Sequence, residues 1–400
     1  MPGAALAGLR VVDLTQHVAG PYCTKLLADF GAAVVKVERP NGGDPARRLG
    51  PFPGGVPHPE KSGLFLYLNT NKRGVTLNLQ CATGRDFLKR MVREADVVVE
   101  SLGPGTLEAL GLGYEALRAL RPSLVLTSIS PFGLTGPYAG YQGEELVTYA
   151  LGGMAYITGK YDREPVKHGL SQAQYLAGVV AATVTLAAYQ RARASGEGCL
   201  IDVSTTEALM STLFSIFNQY AYAGVIQRRE PINGGGMVNS SPVRTSDGYV
   251  TPSHVGISSD WRSFIQFMGA PALEDPKFET PAGRVANASE LDAIVNPIFE
   301  TRTKDEWFHE AQAWRFPFAP VQNAEDIARC PQLEARSYFV EVVHPEAGAL
   351  RYPGPLFRLS ESPRRHWEAA PLLGQHNLEV YQALGVSKEE LEALTAQGVV

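Results

Sequence analysis

PVKHGLSQAQYLAGVVAATVTLAAYQRARASGEGCLIDVSTTEAL, residues 165–209, holds a loop, a long small-residue helix, a turn, a strand and a second helix. The first helix, from about residue 173 to 194, carries Ala, Val, Leu and Gly nearly all the way round, the pattern of a helix buried in a domain interior. Ser195-Gly196-Glu197-Gly198 ends it with glycines where positive φ is needed, and residues 199–203 (CLIDV) read as a short buried strand. A loop feeding the N-terminus of such a helix turns backbone N–H groups and a positive dipole end toward a ligand. Ser171, Gln172, Ala173 and Gln174 stand at that mouth.

The chain before this stretch supplies the sheet. Residues 9–14 (LRVVDL) read as a strand, Gly20-Pro21 opens a helix, and residues 33–38 (AVVKVE) read as a second strand, a βαβ unit of a parallel sheet. Ligands of such sheets sit at the carboxyl ends of strands, here residues 15–19 and Glu38-Arg39. Residues 40–62 break into Gly, Pro and charge, a loop long enough to be functional or lid-like, with Arg47 and Arg48 expected at the surface. Residues 64–69 and 75–79 read as a strand pair joined by the basic turn Asn71-Lys72-Arg73. A helix at 83–94 leads to a strand at 96–100 that runs into Ser101-Leu102-Gly103-Pro104-Gly105, and another strand spans 124–129. Loops rich in Gly, Ser, Thr and Asn at the strand ends point to a nucleotide-like ligand. Beyond the long helix, residues 205–222 are helical, Gly234-Gly235-Gly236 breaks the chain, and TSDGYVTPS at 245–253 reads as a hairpin with an Asp-Gly turn. A smaller α+β segment follows, and the tail from residue 371 is a helical pair.

Composition narrows the function classes. Four hundred residues suggest two domains around ample cores, and 44% hydrophobic and 19% charged residues are ordinary for a soluble enzyme. A net charge of -5 gives no reason to expect nucleic acid or an acidic membrane as partner. Cys23, Cys81, Cys199 and Cys330 lie far apart with no C-x-x-C, so they read as buried thiols of a reducing compartment. The chain shows no signal-peptide pattern and no apolar run of membrane-spanning length, and a cytoplasmic location is expected. There is no G-x-G-x-x-G after the first strand, no P-loop, no H-E-x-x-H and no G-x-S-x-G, so the expected cofactors include no nicotinamide, flavin or metal.

Several stretches, in order, resemble the family III CoA-transferases, whose cousins include the 2-methylacyl-CoA racemases. They are LAGLRVVDLTQHVAGPYCTKLLADFGAAVVKVERPNGGDPAR at 6–47, LNTNKRGVTLNL at 68–79, ADVVVESLGPGTLEALGLGYEAL at 95–117, GEGCLIDVS at 196–204, the glycine loop, FAPV at 318–321 and APLLGQHN at 370–377. The resemblance implies an α/β fold: a large Rossmann-like CoA-binding domain over 1–224, a small α+β domain over 225–325, a return segment over 326–400, and an interlocked dimer. It implies coenzyme A or acyl-CoA and a carboxylic acid as substrates, and places the CoA near Val18, Ala19, Arg39, Asn71, Lys72, Arg73, Ser101 and Leu102. The basic trio Arg39, Lys72 and Arg73 suits phosphate. Gly234, Gly235 and Gly236 would cover the intermediates as a lid, and His17 could donate to a thioester oxygen.

In that family an Asp at the mouth of the long helix attacks the thioester and carries the acyl group. The matching position here is Gln174, and no carboxylate lies between Glu164 and Glu197. An amide does not form the anhydride, because its nitrogen lone pair is delocalised and its oxygen is a poor nucleophile. Where the family often has an Arg after the Gly-Pro-Gly turn, this chain has Ala109. Glu144 and Glu145 are the carboxylates expected nearest the reaction. Three functions stay open: the Asp-lacking subunit of a two-subunit CoA-transferase, working as a heterodimer with an Asp-bearing paralogue; a stand-alone acyl-CoA lyase, dehydratase or isomerase, homodimeric, with Glu144 or Glu145 as base; and a non-catalytic acyl-CoA-binding protein.

Overall fold

The structure is a computed structural model that describes residues 3–229, 241–252, 260–362 and 367–400. Gly234, Gly235 and Gly236 lie outside the described residues. The chain divides into two compact units, one made of Met1–Gly159, Arg163–Arg229 and Tyr338–Val400, the other of Lys160–Asp162 and Glu230–Ser337. The expected boundaries at 225 and 325 therefore move to 230 and 337. Residues 326–337 stay with the second unit, where the Asp326 carboxylate pairs with Lys304.

The first unit is built on six parallel strands: β1 Arg10–Leu14, β2 Ala33–Glu38, β3 Arg73–Thr76, β4 Val97–Glu100, β5 Val125–Ser130 and β6 Cys199–Ser204. Their order is β3-β2-β1-β4-β5-β6, the doubly wound order that reverses direction between β1 and β4. Strand alternation sends Val12, Leu14, Val37, Val75 and Val98 into one core beneath the helix Ala82–Glu94 and the C-terminal helices Asn377–Ala383 and Lys388–Ala396. Val11, Val34, Val97, Val99 and Val125 face the other core, under the helices Ala19–Asp29 and Gln172–Ser195. The C-terminal segment also shields the edge strand. Asn377 Oδ1 accepts the Thr76 N–H at 2.9 Å, His376 Nδ1 accepts the Gly74 N–H at 3.0 Å, and the Tyr381 hydroxyl donates to the Thr76 carbonyl at 2.7 Å.

Four local expectations fail. Residues 64–69 are not a strand: Ser62 accepts the Phe65 N–H and starts the helix Gly63–Leu68, which buries Phe65, Leu66 and Leu68. The long helix Gln172–Ser195 is not buried all round. Ala173, Ala177, Ala181 and Thr185 form a buried stripe, while Val179 and Val184 on the other side are each 36% exposed. The alanine stripe permits close packing, and Gly178 permits more: a Cβ there would sit 2.7 Å from the Ala19 carbonyl oxygen. The loop 40–62 is no free lid either. Arg47 is 1% exposed, not at the surface, because its guanidinium grips the buried Glu38 carboxylate at 2.7 and 2.8 Å and also reaches Glu60.

The second unit has its own antiparallel sheet, β7 Val243–Arg244, β8 Tyr249–Pro252 and β9 Phe318–Pro320, with the expected Asp-Gly hairpin closed by a Thr245 N–H to Gly248 carbonyl bond of 2.9 Å. Phe264, Phe267, Phe299, Trp307 and Phe318 fill its core. Back in the first unit, β10 Phe339–His344 and β11 Gly348–Pro353 form an antiparallel ribbon.

Candidate functional site

A cleft of ≈ 590 Å³ opens at the carboxyl ends of β1, β2 and β4, where the strand order reverses. His17, Arg39, Ser101 and Leu102, four of the expected ligand residues, line it together with Gln16 and Asn78. The turn after β1 is tied across the sheet to the turn after β4 by a Gln16 N–H to Ser101 Oγ bond of 2.9 Å. Arg39 donates to Gln16 Oε1 at 3.3 Å and is exposed. Below the second turn, the Glu100 carboxylate accepts the Leu102 N–H at 2.7 Å and the Ser128 hydroxyl. Burial pushes its pKa up despite those two bonds. His17 is exposed and has a left-handed backbone with φ 66°, unusual for a residue with a side chain.

The other basic residues go elsewhere. Lys72 is sealed under the sheet end, its ammonium donating to Asp13 Oδ2 at 3.0 Å, the Pro21 carbonyl at 2.9 Å, Thr24 Oγ1 at 2.7 Å and Asn69 Oδ1 at 2.9 Å. Burial brings its pKa down to about 8 against the pull of Asp13, so it stays charged at neutral pH. With its donors filled internally, it has none left for a phosphate. Asn71 is buried too, donating to Asp29 at 2.7 Å and accepting the Glu368 N–H at 2.9 Å. Arg73 is exposed and pairs with Glu379 at 2.7 Å. Asn71-Lys72-Arg73 lead into β3, so their backbone lies at the amino end of that strand, away from the cleft. That much was readable from their place ahead of the strand. Val18 and Ala19 are buried, Val18 against Tyr22 and Leu68, and Ala19 opens the helix Ala19–Asp29.

Gln174 lies in the first turn of the helix Gln172–Ser195 and is half-buried. Glu145 occupies the mouth of that helix from outside. Its Oε1 accepts the Ala173 N–H at 2.9 Å and its Oε2 the Gln174 N–H at 3.1 Å, so a buried carboxylate caps the positive dipole end. This engagement removes Glu145 from the role of a free base; Glu144, next to it, is exposed and precedes the helix Glu145–Leu151. One turn on from Glu145, Tyr149 is 1% exposed, packs on Ala173 and presents a hydroxyl without a hydrogen-bond partner among the described residues. Its ring meets His168 edge-on at 5.6 Å. No sequence pattern pointed to Tyr149, which reads there as one more apolar position of a helix. The Gln174 carboxamide has no hydrogen-bond partner among the described residues.

Among the described residues no group of three or more His, Cys, Asp or Glu could hold a metal ion, and no helix is long and apolar enough to cross a membrane. The family model for CoA-transferase family III matches residues 6–377. The chain is 33% identical to the succinyl-CoA--D-citramalate CoA-transferase of Chloroflexus aurantiacus, over 100% of this chain and 99% of that protein. It is 32% identical to the succinyl-CoA:(R)-benzylsuccinate CoA-transferase subunit BbsE of Thauera aromatica, over 100% of this chain and 98% of that one. A crystal structure of a CAIB/BAIF family protein from Brucella suis superposes with a TM-score of 0.86 at 28% identity, covering 96% of this chain and 100% of that one. The chain belongs to CoA-transferase family III.

Proposed function

We propose that this chain is the Asp-lacking subunit of a two-subunit CoA-transferase, binding acyl-CoA over its own cleft while a paralogue supplies the nucleophilic carboxylate. The observation that carries this reading is the helix mouth at Gln174. An Asp there would attack the thioester carbonyl and expel CoA thiolate to give an anhydride. The thiolate would then take the enzyme acyl group as a thioester and free the donor acid, and the acceptor carboxylate would complete the exchange through a second anhydride. A carboxamide makes none of these bonds, and the nearest carboxylate, Glu145, is held by two backbone N–H groups. The name of the Thauera relative, a subunit, supports the paired arrangement.

In this reading the cleft takes the nucleotide end of CoA, with Arg39 as its cation and apolar Leu14, Val37, Leu102 and Leu110 as its walls. Association with a second chain is supported by uncovered apolar helix faces within the first unit. Phe214, Phe217, Tyr220 and Tyr222 are exposed on and around one helix, and Leu146, Val147 and Leu151 on another. A base-catalysed stand-alone reaction is less well supported, because Glu145 is engaged. The test is purification from the native host, followed by assay of CoA transfer for the chain alone, for the chain with any co-purifying protein, and for Gln174→Asp. The expected result is no transfer alone, transfer with the partner, and a gain of transfer in Gln174→Asp. Turnover of an acyl-CoA by the pure wild-type chain, without acceptor acid, would overturn the proposal.

A further inference from the structure

The expected ligand residues leave unexplained the buried charges beneath the cleft. Lys36 lies on β2 and Asp44 in the loop that follows, and both side chains are fully buried, with Lys36 Nζ 2.9 Å from Asp44 Oδ2. Burying two charges costs more free energy than their mutual attraction commonly returns, so such a pair invites a reason beyond stability. What they touch supplies one. Lys36 Nζ also donates to the Thr15 carbonyl at 3.0 Å, and Asp44 Oδ1 accepts the His17 N–H at 3.0 Å. The pair thus grips the peptide groups on both sides of Gln16. Directly after the second of those points the chain takes the left-handed turn at His17, a conformation that persists in a non-glycine residue only when its surroundings enforce it.

Asp44 is itself held by two further bonds. Its own N–H donates to Glu38 Oε2 at 2.9 Å, its Oδ1 accepts the Ala46 N–H at 2.9 Å, and Glu38 is locked by Arg47. Burial works to raise the Asp44 pKa, but Lys36 and the Ala46 and His17 N–H groups outweigh it and keep the carboxylate ionised. The clamp is therefore rigid as well as charged.

We propose that the Lys36–Asp44 pair is a positioning device that holds the turn after β1 in its left-handed form, so that Gln16 and His17 are presented to acyl-CoA in the cleft. This rests on the cleft being the CoA site. Neither residue touches the ligand in this scheme; both act through the Thr15–His17 backbone.

Two measurements separate the clamp from the ligand. In the wild-type protein, the His17 amide is expected to exchange slowly with solvent although its side chain is exposed; fast exchange would overturn the clamp with no variant needed. In Asp44→Ala, exchange over residues 15–18 should accelerate while β4 and β5 keep their protection, and the dissociation constant for free CoA should rise on the order of tenfold. Asp44→Asn keeps an acceptor oxygen for the His17 N–H and should recover part of both losses. A folded Asp44→Ala with unchanged exchange at 15–18, with loosening spread evenly over the sheet, or with unchanged CoA affinity would refute the proposal. Absence of CoA binding by the wild type would instead sink the functional reading, and the exchange data alone would then judge the clamp.

Discussion

Replacing Lys72 with Met decides whether its charge serves the fold or a phosphate. The variant removes four donated bonds and leaves the Asp13 carboxylate, 0% exposed, without its nearest cation. Breaking one side of a buried ion pair costs about 3–5 kcal/mol. Burial would raise the Asp13 pKa, but Lys72, Lys36 and the hydroxyls of Thr15 and Thr24 together hold it at about 2 against an ordinary 3.8. That depression favours the folded chain at neutral pH, and Lys72 is its largest favourable cause. The sign follows from proton uptake. On acidification the unfolded chain protonates Asp13 first, so the contribution is complete above about pH 4 and is lost as the pH falls through 2. Urea denaturation followed by far-UV circular dichroism, at pH 7 and in steps down to pH 3, should show Lys72→Met destabilised at pH 7 and less sensitive to acid than the wild type. At low temperature, where the variant stays folded, its CoA affinity should be within threefold of the wild type. A stability loss below about 1 kcal/mol combined with a large loss of CoA affinity would refute the structural assignment.

Gly178→Ala should destabilise by a net of about 1–2 kcal/mol, since overpacking against the Ala19 carbonyl and Tyr22 exceeds the roughly 1 kcal/mol gained in helix propensity. A denaturation midpoint that stays put or rises would contradict the close approach of the two helices. The cysteines should label in a fixed order. Cys23 is fully buried, and burial together with the Asp13 charge pushes its thiol pKa far up, whereas the Leu333 and Gln332 N–H groups hold the Cys330 thiol below its ordinary value. A thiol reagent at neutral pH, with peptide mapping, should modify Cys330 early and Cys23 only on unfolding; early labelling at Cys23 would show that the sheet end is open.

The sequence alone determined the family, the sheet and most of its helices. These rest on local patterns: apolar runs bounded by Gly and Pro for β1, β2, β4, β5 and β6, and helical periodicity for the C-terminal pair. It also placed His17, Arg39, Ser101 and Leu102 at one sheet edge, since the carboxyl ends of neighbouring parallel strands must converge. The short run 63–68 was ambiguous because six apolar residues fit a buried strand or a helix equally, and the Ser62 cap decided it. The charges were the harder matter. In sequence Arg47 reads as a surface cation and Lys72 as a phosphate ligand, and what buries Lys36, Arg47 and Lys72 is Asp44, Glu38 and Asp13, carried on other segments of the chain. A charge is kept from water only where an opposite charge and hydrogen-bond partners meet it in space, and that meeting belongs to the tertiary structure. Likewise, the absence of an Asp at position 174 was legible in one letter, but only the packing of the helix Glu145–Leu151 revealed that Glu145 already fills the anion site beside it.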